Sequence, residues 1–220
     1  STRLPRAIRD VYKRQVFLWQ SGNKYRVSAH DADMKETEAI YGQTDSGMTI
    51  IEGHLFLNGK KPIQHRSSYG LGEVIKAALD NHTEHLVISL GGIGSFDGGA
   101  GMLQALGATF YDDEAQIVDM RKGAYLIKYI RRIDLSGVHP QLTKVNIQLM
   151  SDFSSRLYGK KSEIMQTYES LDLSQNEAAE IDNLIWYFSE LFKNELKIAM
   201  GPIERGGAGG GIAAVSYTHL

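Results

Sequence analysis

Polar and apolar positions along the chain fall into a few regular patterns. Between residues 24 and 52 they alternate or form short runs. Thr37, Ala39 and Tyr41 interleave with Glu36, Glu38 and Ile40, Asp45-Ser46-Gly47 supplies turn chemistry, and Met48-Thr49-Ile50-Ile51 follows, so this stretch predicts short strands. Residues 58–66 (NGKKPIQHR) are polar and contain Pro62, which reads as a connection. Val74, Ile75, Ala78 and Leu79 cluster at helical spacing. Residues 86–90 (LVISL) form a short apolar run ending at glycines, as a strand buried in a parallel sheet would. Met102, Leu103, Ala105 and Leu106 then predict a helix closed by Gly107. Thr109-Phe110-Tyr111 and Gln116-Ile117-Val118 flank an acidic turn and predict a hairpin, and residues 145–150 predict a strand running into Ser151-Asp152.

The strongest local signal is a long helix. Ser174 followed by Glu177 is a capping-box pattern, and Ile181, Leu184, Ile185, Phe188, Leu191 and Phe192 then share one stripe, a core face. Strands alternating with helices indicate an α/β class, a parallel or mixed sheet flanked by helices.

Composition narrows the class without naming a chemistry. The 220 residues suffice for one large domain or two small ones, with 42% hydrophobic and 23% charged residues, the ordinary globular range. A net charge of −2, from 24 basic and 26 acidic residues, leaves no electrostatic footprint for nucleic acid or an anionic membrane. The absence of cysteine excludes disulfides, thiolate metal sites and a cysteine nucleophile. No apolar run approaches the roughly 20 residues of a spanning helix, and no signal segment opens the chain. The expectation is a soluble, cytoplasmic protein, with its oligomeric state open. Histidines 30, 54, 65, 82, 85 and 139 lack metal-ligand spacing, and the pairs Lys160-Lys161 and Arg131-Arg132 read as solvated surface.

Both ends look foreign to the rest. Residues 1–15 (STRLPRAIRDVYKRQ) are basic and aperiodic, and residues 215–220 (VSYTHL) follow a glycine-rich run abruptly. Both resemble translated adapter peptides, so residues 1–15 and 215–220 are expected to be non-native and residues 16–214 to be an incomplete α/β region. Ordinary frayed termini are the alternative.

Candidate chemistry concentrates after the 86–90 strand, where five of the nine residues 91–99 are glycine. Such a turn lets a ligand approach the backbone, and the helix that follows begins with unpaired N–H groups and a positive dipole end. Ligands of open parallel sheets bind beyond the strands' carboxyl ends, where this turn belongs. Residues 86–107 are therefore expected to cradle an anion such as phosphate. The dinucleotide fingerprint fails, because Asp97 stands where its last glycine belongs; the phosphate loop G-x-x-x-x-G-K-[ST], the G-x-S-x-G elbow and H-E-x-x-H are absent. On the residues alone, Asp97 has two readings, a chemical carboxylate or the N-cap of the next helix.

The stretch 91–102, ending in Asp97-Gly98-Gly99-Ala100-Gly101-Met102, resembles the G-G-S-A-T-N-D-G-G-A-G-M signature of the glycerate kinase family. Residues 67–73 (SSYGLGE) resemble that family's S-T-Y-G-T-G-E, residues 103–107 (LQALG) its M-x-Q-A-L-G, residues 133–137 (IDLSG) its I-D-L-S-G-L, Ser151-Asp152 the place of its C-D-V, and residues 206–211 its G-A-G-A-A-G-G-L-G run. The resemblance implies part of a two-domain α/β fold and transfer of the γ-phosphoryl of ATP to glycerate with Mg2+. It implies catalytic roles for Asp97 and Asp152, Asp152 also holding magnesium, and ligand contacts at Ser67, Ser68, Gly91, Gly92, Ser95, Gly98 and Gly99. Ser67 and Ser68 are equally suited to cap a helix.

Departures point to a rival reading. Ile93, Gly94, Ser95 and Phe96 replace the family's S, A, T and N, Phe153-Ser154-Ser155-Arg156 departs from its D-N-P, and Tyr168-Glu169-Ser170-Leu171 takes the place of F-G-P-Q-K-G. The family's D-S-F-K-G and T-G-E-G-R segments are expected to lie outside this stretch. These features imply, as an alternative, a catalytically impaired binding or regulatory relative, and little turnover by this chain alone.

Overall fold

A computed structural model describes residues 22–90, 94–151, 155–203 and 206–217 of the chain. Gly91, Gly92, Ile93, Asp152, Phe153, Ser154 and residues 1–15 lie outside the described residues, as do the last three.

A five-stranded mixed sheet organises the fold. Its strands are β1 (Asn23–His30), β2 (Glu36–Gln43), β3 (Met48–Ile51), β4 (His85–Ser89) and β7 (Asn146–Met150), arranged in that spatial order. The first three pair antiparallel, whereas β4 runs parallel to β3 on one side and to β7 on the other. Leu86, Val87, Ile88 and Ser89 of β4 are all buried, the result of covering a parallel strand on both faces. By contrast β1 and β2 form an edge ribbon with exposed positions on β1, consistent with their alternating sequence.

Helix α1 (Tyr69–Asp80) connects β3 to β4 and α2 (Ala100–Ala105) follows β4. The two pack so closely that a side chain at Gly72 would run into the backbone carbonyl of Met102. Gly107 closes α2 at φ 110°, its N–H donating to the Gln104 carbonyl at 3.0 Å, as a C-terminal glycine should.

The expected hairpin at 109–118 forms, with a further strand beside it. Asp112 accepts the amides of Glu114 and Gln116, which makes the turn, and Ile117 bridges back to Tyr111. The ladder partner of β5 (Thr109–Tyr111), however, is β6 (Arg132–Asp134), with Phe110 opposite Ile133. A one-residue bridge with Ile117 exposed buries little, whereas pairing with β6 buries both Phe110 and Ile133.

The long helix, α4 (Gln175–Leu196), follows the short α3 (Glu163–Thr167) and begins as its sequence predicts. The Ser174 hydroxyl accepts from Glu177 N–H at 3.3 Å while Ser174 N–H donates to the Glu177 carboxylate at 2.8 Å. Ile181, Ile185, Phe188 and Phe192 are buried, with Leu184 and Leu191 packed at the margin. Phe188 stacks edge-on against Phe110 and Phe192, joining the small sheet to the helix, and it also touches the turn at Gly98. The last helix, α5 (Ile212–Tyr217), lies against β7 with Val215 and Ser216 buried.

Candidate active-site crevice

Parallel pairing brings the carboxyl ends of β3, β4 and β7 to one edge of the sheet, where the amide of Leu90 donates to the carbonyl of Met150 at 2.8 Å. The crevice beyond such an edge is where α/β proteins bind ligands. Three chain segments converge there: the turn leading into α2, the start of α1, and the glycine run 206–211.

Asp97 ties the first two together. It is fully buried, and its carboxylate accepts four hydrogen bonds: from Ser68 N–H (2.8 Å), Ser68 Oγ (2.9 Å), Gly99 N–H (3.0 Å) and Gly101 N–H (3.1 Å). Burial pushes this carboxyl above the ordinary aspartate value, while the four donors work the other way. Ser68 Oγ in turn accepts from Met102 N–H at 2.9 Å, and Ser67 Oγ accepts from Tyr69 N–H at 3.2 Å. Gly98 N–H goes to the carbonyl of Gly210 and Ala100 N–H to that of Asp97, both at 3.0 Å.

Every backbone amide from residue 98 to residue 102 is thus satisfied inside the protein. The anion at the start of α2 is the chain's own aspartate. The sequence locates this cradle and its sign, but Asp97, Ser67, Ser68, Gly98 and Gly99 are all wholly interior. Asp97 lies two residues before the N-cap of α2, Gly99, and its carboxylate holds the amides of Gly99 and Gly101. Gly98 and Gly99, at φ 61° and 79°, supply the left-handed turn that bends the amides around the carboxylate.

The glycine run packs directly against the turn leading into α2. Gly209, Gly210 and Gly211 all have positive φ, and Gly209 packs on Leu90 at the end of β4. Gly210 N–H donates to Glu163 of α3 at 3.2 Å. Glu163 is only 3% exposed, and burial raises its carboxyl pKa to about 7 against the lowering effect of the Gly210 and Gly209 amides. Two more buried groups flank the run: the hydroxyls of Ser95 and Ser155 have no hydrogen-bond partner among the described residues. Buried hydroxyls are rarely left unpaired, so both are available to a ligand or an ordered water.

A protein-family model described as the glycerate kinase family matches residues 14–220. The chain belongs to the glycerate kinase family. It is 30% identical over 184 residues to a glycerate kinase of Halalkalibacterium halodurans, covering 80% of this chain and 48% of that protein. It is likewise 30% identical over 154 residues to glycerate 2-kinase of Escherichia coli K12, covering 70% and 40%. A crystal structure assigned to glycerate kinase 2 of Salmonella typhimurium LT2 superposes with a TM-score of 0.84 at 26% identity, over 90% of this chain and 54% of that one. The chain spans about half the length of the curated relatives it matches.

Within the glycerate kinase signature, the departure at Phe96 has a plain structural outcome. Phe96 is 1% exposed and belongs to the core, so its bulk turns away from the crevice. Ser95 beside it keeps a hydroxyl, also buried. Three of the histidines have side-chain partners: His30 pairs with Glu73, His139 with Asp80, and the His65 ring lies tilted against Tyr125. Arg131 bonds to Tyr187 Oη and two carbonyls, Arg132 lies over the Tyr111 ring, and no cluster of three potential metal ligands occurs among the described residues. Glu163 and Arg66, whose setting is described below, are features that sequence reasoning missed, since nothing local marks their surroundings.

Proposed function

We propose that this chain supplies part of the active site of a cytoplasmic, ATP-dependent glycerate kinase. In the reaction the glycerate hydroxyl oxygen bonds to the γ-phosphorus of ATP, the bond to the β-phosphate oxygen breaks, and ADP leaves with phosphoglycerate. The observation that carries the reading is the docking of two remote glycine segments, both matching family motifs, against each other at the carboxyl edge of the sheet.

Enzymes of this type work chiefly by positioning and charge stabilisation. In this chain Asp97 is the positioning residue, fixing the start of α1 and α2 without facing the ligand. Ser95 and Ser155 are proposed to donate to ligand oxygens, and the amides of Gly91 and Gly92 to approach the phosphates. Magnesium would enter with the nucleotide, which needs one or two carboxylates beside phosphate oxygens. Asp152, to which the family resemblance gives that role, is the proposed ligand. The ion would neutralise phosphate charge, and the glycerate hydroxyl proton would pass to a carboxylate or to the transferred phosphoryl group.

Glycerate-dependent release of ADP, measured with ATP and magnesium on this chain and on the longest open reading frame containing it, tests the proposal. Folded protein that releases no ADP in response to glycerate would overturn it.

A further inference from the structure

We infer that Arg66 is an anion-binding residue of the crevice, holding the oxyanion of a ligand, whose identity rests on the kinase reading above. The side chain sits in the connection between β3 and α1, one residue before the buried Ser67-Ser68 pair. Its Nε donates to the carbonyl of Lys61 at 2.7 Å and its Nη1 to the carbonyl of Gly94 at 2.9 Å. These two bonds fix the plane of the guanidinium and leave further N–H groups of its five to spare.

Charge makes the case. Arg66 is half-buried, and among the described residues no carboxylate oxygen comes within the 4.0 Å of an ion pair. Arg26 pairs with Glu38, Arg121 with Asp119 and Lys193 with Glu190, whereas Arg66, like Arg131, has no carboxylate partner among the described residues. The acid that feels Arg66 is Asp33, but both its oxygens are taken by the amides of Lys60 (2.7 Å) and Lys61 (3.0 Å). A partly desolvated cation bonded only to carbonyls retains an unneutralised charge.

Place supplies the second half. Gly94 packs so tightly on Leu57 and Asn58 that no side chain fits there, which seats the Arg66 connection directly on the turn following β4. Ser95, the next residue, carries a buried hydroxyl without a partner among the described residues. A rigid fork of donors and a hydroxyl donor beside the carboxyl end of a parallel strand suit a planar carboxylate or a phosphate. The shared chemistry is an oxyanion; in the kinase reading it is either the carboxylate of glycerate or a phosphate of the nucleotide.

Calorimetric titration of this chain with glycerate, with a non-hydrolysable ATP analogue plus magnesium, and with orthophosphate tests the inference. Arg66→Gln is expected to weaken the ligand it holds by about tenfold or more, and Arg66→Lys, which keeps charge but not the fork, by less. Loss confined to glycerate identifies the carboxylate; joint loss of the nucleotide and orthophosphate identifies a phosphate. Unchanged affinities in folded Arg66→Gln overturn the inference and leave the kinase reading intact. A wild-type chain that binds none of the three overturns both. Should Arg66→Gln fail to fold, Arg66→Lys decides, and unchanged affinity for all three then overturns the inference.

Discussion

Asp97 shows how one carboxylate can be read correctly as to place and incompletely as to task. Its position before two glycines announces an anion at a helix start, but the sequence cannot show that it accepts from Ser68, Gly99 and Gly101, three of the four bonds falling on one oxygen. Asp97→Asn would set an amide N–H2 against existing donors. A buried group left unsatisfied costs about 1–3 kcal/mol, which for a chain of this size lowers Tm by roughly 2–12 °C. Scanning calorimetry of the variant checks this, and an unshifted melt accompanied by lost turnover would instead make Asp97 a chemical group. Glu163 makes a prediction with a definite sign. Its carboxyl has a folded-state pKa of about 7 against 4.5 for an ordinary glutamate, so between these values the folded protein holds a proton that the unfolded chain has released. Stability from this group is therefore fully present below the lower value and falls as pH rises through the window. Above it, the cost of burying the charge is on the order of 3 kcal/mol. Urea midpoints compared at about pH 5 and about pH 8 should differ less in Glu163→Gln than in the wild type. No periodicity marks Glu163 or Arg66, because what makes each unusual comes from distant segments: the glycine run for one, the turn after β4 for the other.

Among the elements, α4 was the most legible because its signals are local. A capping box and a stripe at helical spacing are both contained within its own residues. Ser174→Ala should cost about 1 kcal/mol, read as a lower urea midpoint with the helix otherwise intact. Phe188→Ala should be far more damaging, about 3–5 kcal/mol, since that ring meets Phe110, Phe192 and the turn at Gly98 together. The hairpin at 109–118 forms as its turn predicts, with Val118 N–H donating to the Phe110 carbonyl at 2.9 Å, but the further strand paired with β5 was illegible for the opposite reason. The hairpin's turn chemistry is real, but the partner that buries Phe110 is Ile133, which no turn signal connects to it.

At the scale of the molecule, the class was legible and the strand order was not. The short apolar run of β4 identifies a strand covered on both faces, which is why the α/β class followed directly. That β7 rather than β5 lies beside it depends on which connections cross the sheet, and that information is spread over the whole chain. The glycine run 206–211 resembles a family element, and the structure adds what it touches: Leu90, Ser95 and Gly98.

The bonds around Asp97 also have a consequence for how the molecule comes together. Helix α2 has six residues, far below the roughly 12–15 at which an isolated helix becomes even marginal in water. Two of its first amides are held by acceptors outside it, Gly101 by Asp97 and Met102 by the hydroxyl of Ser68 at the start of α1. The shorter helix therefore has no independent existence, and the two should form and melt as one cooperative unit. Native-state hydrogen exchange should then find the amides of Gly101 and Met102 opening with the same free energy as those in the middle of α1. The signature turn is in this sense a splice, through which a segment too short to fold alone acquires the stability of its neighbour.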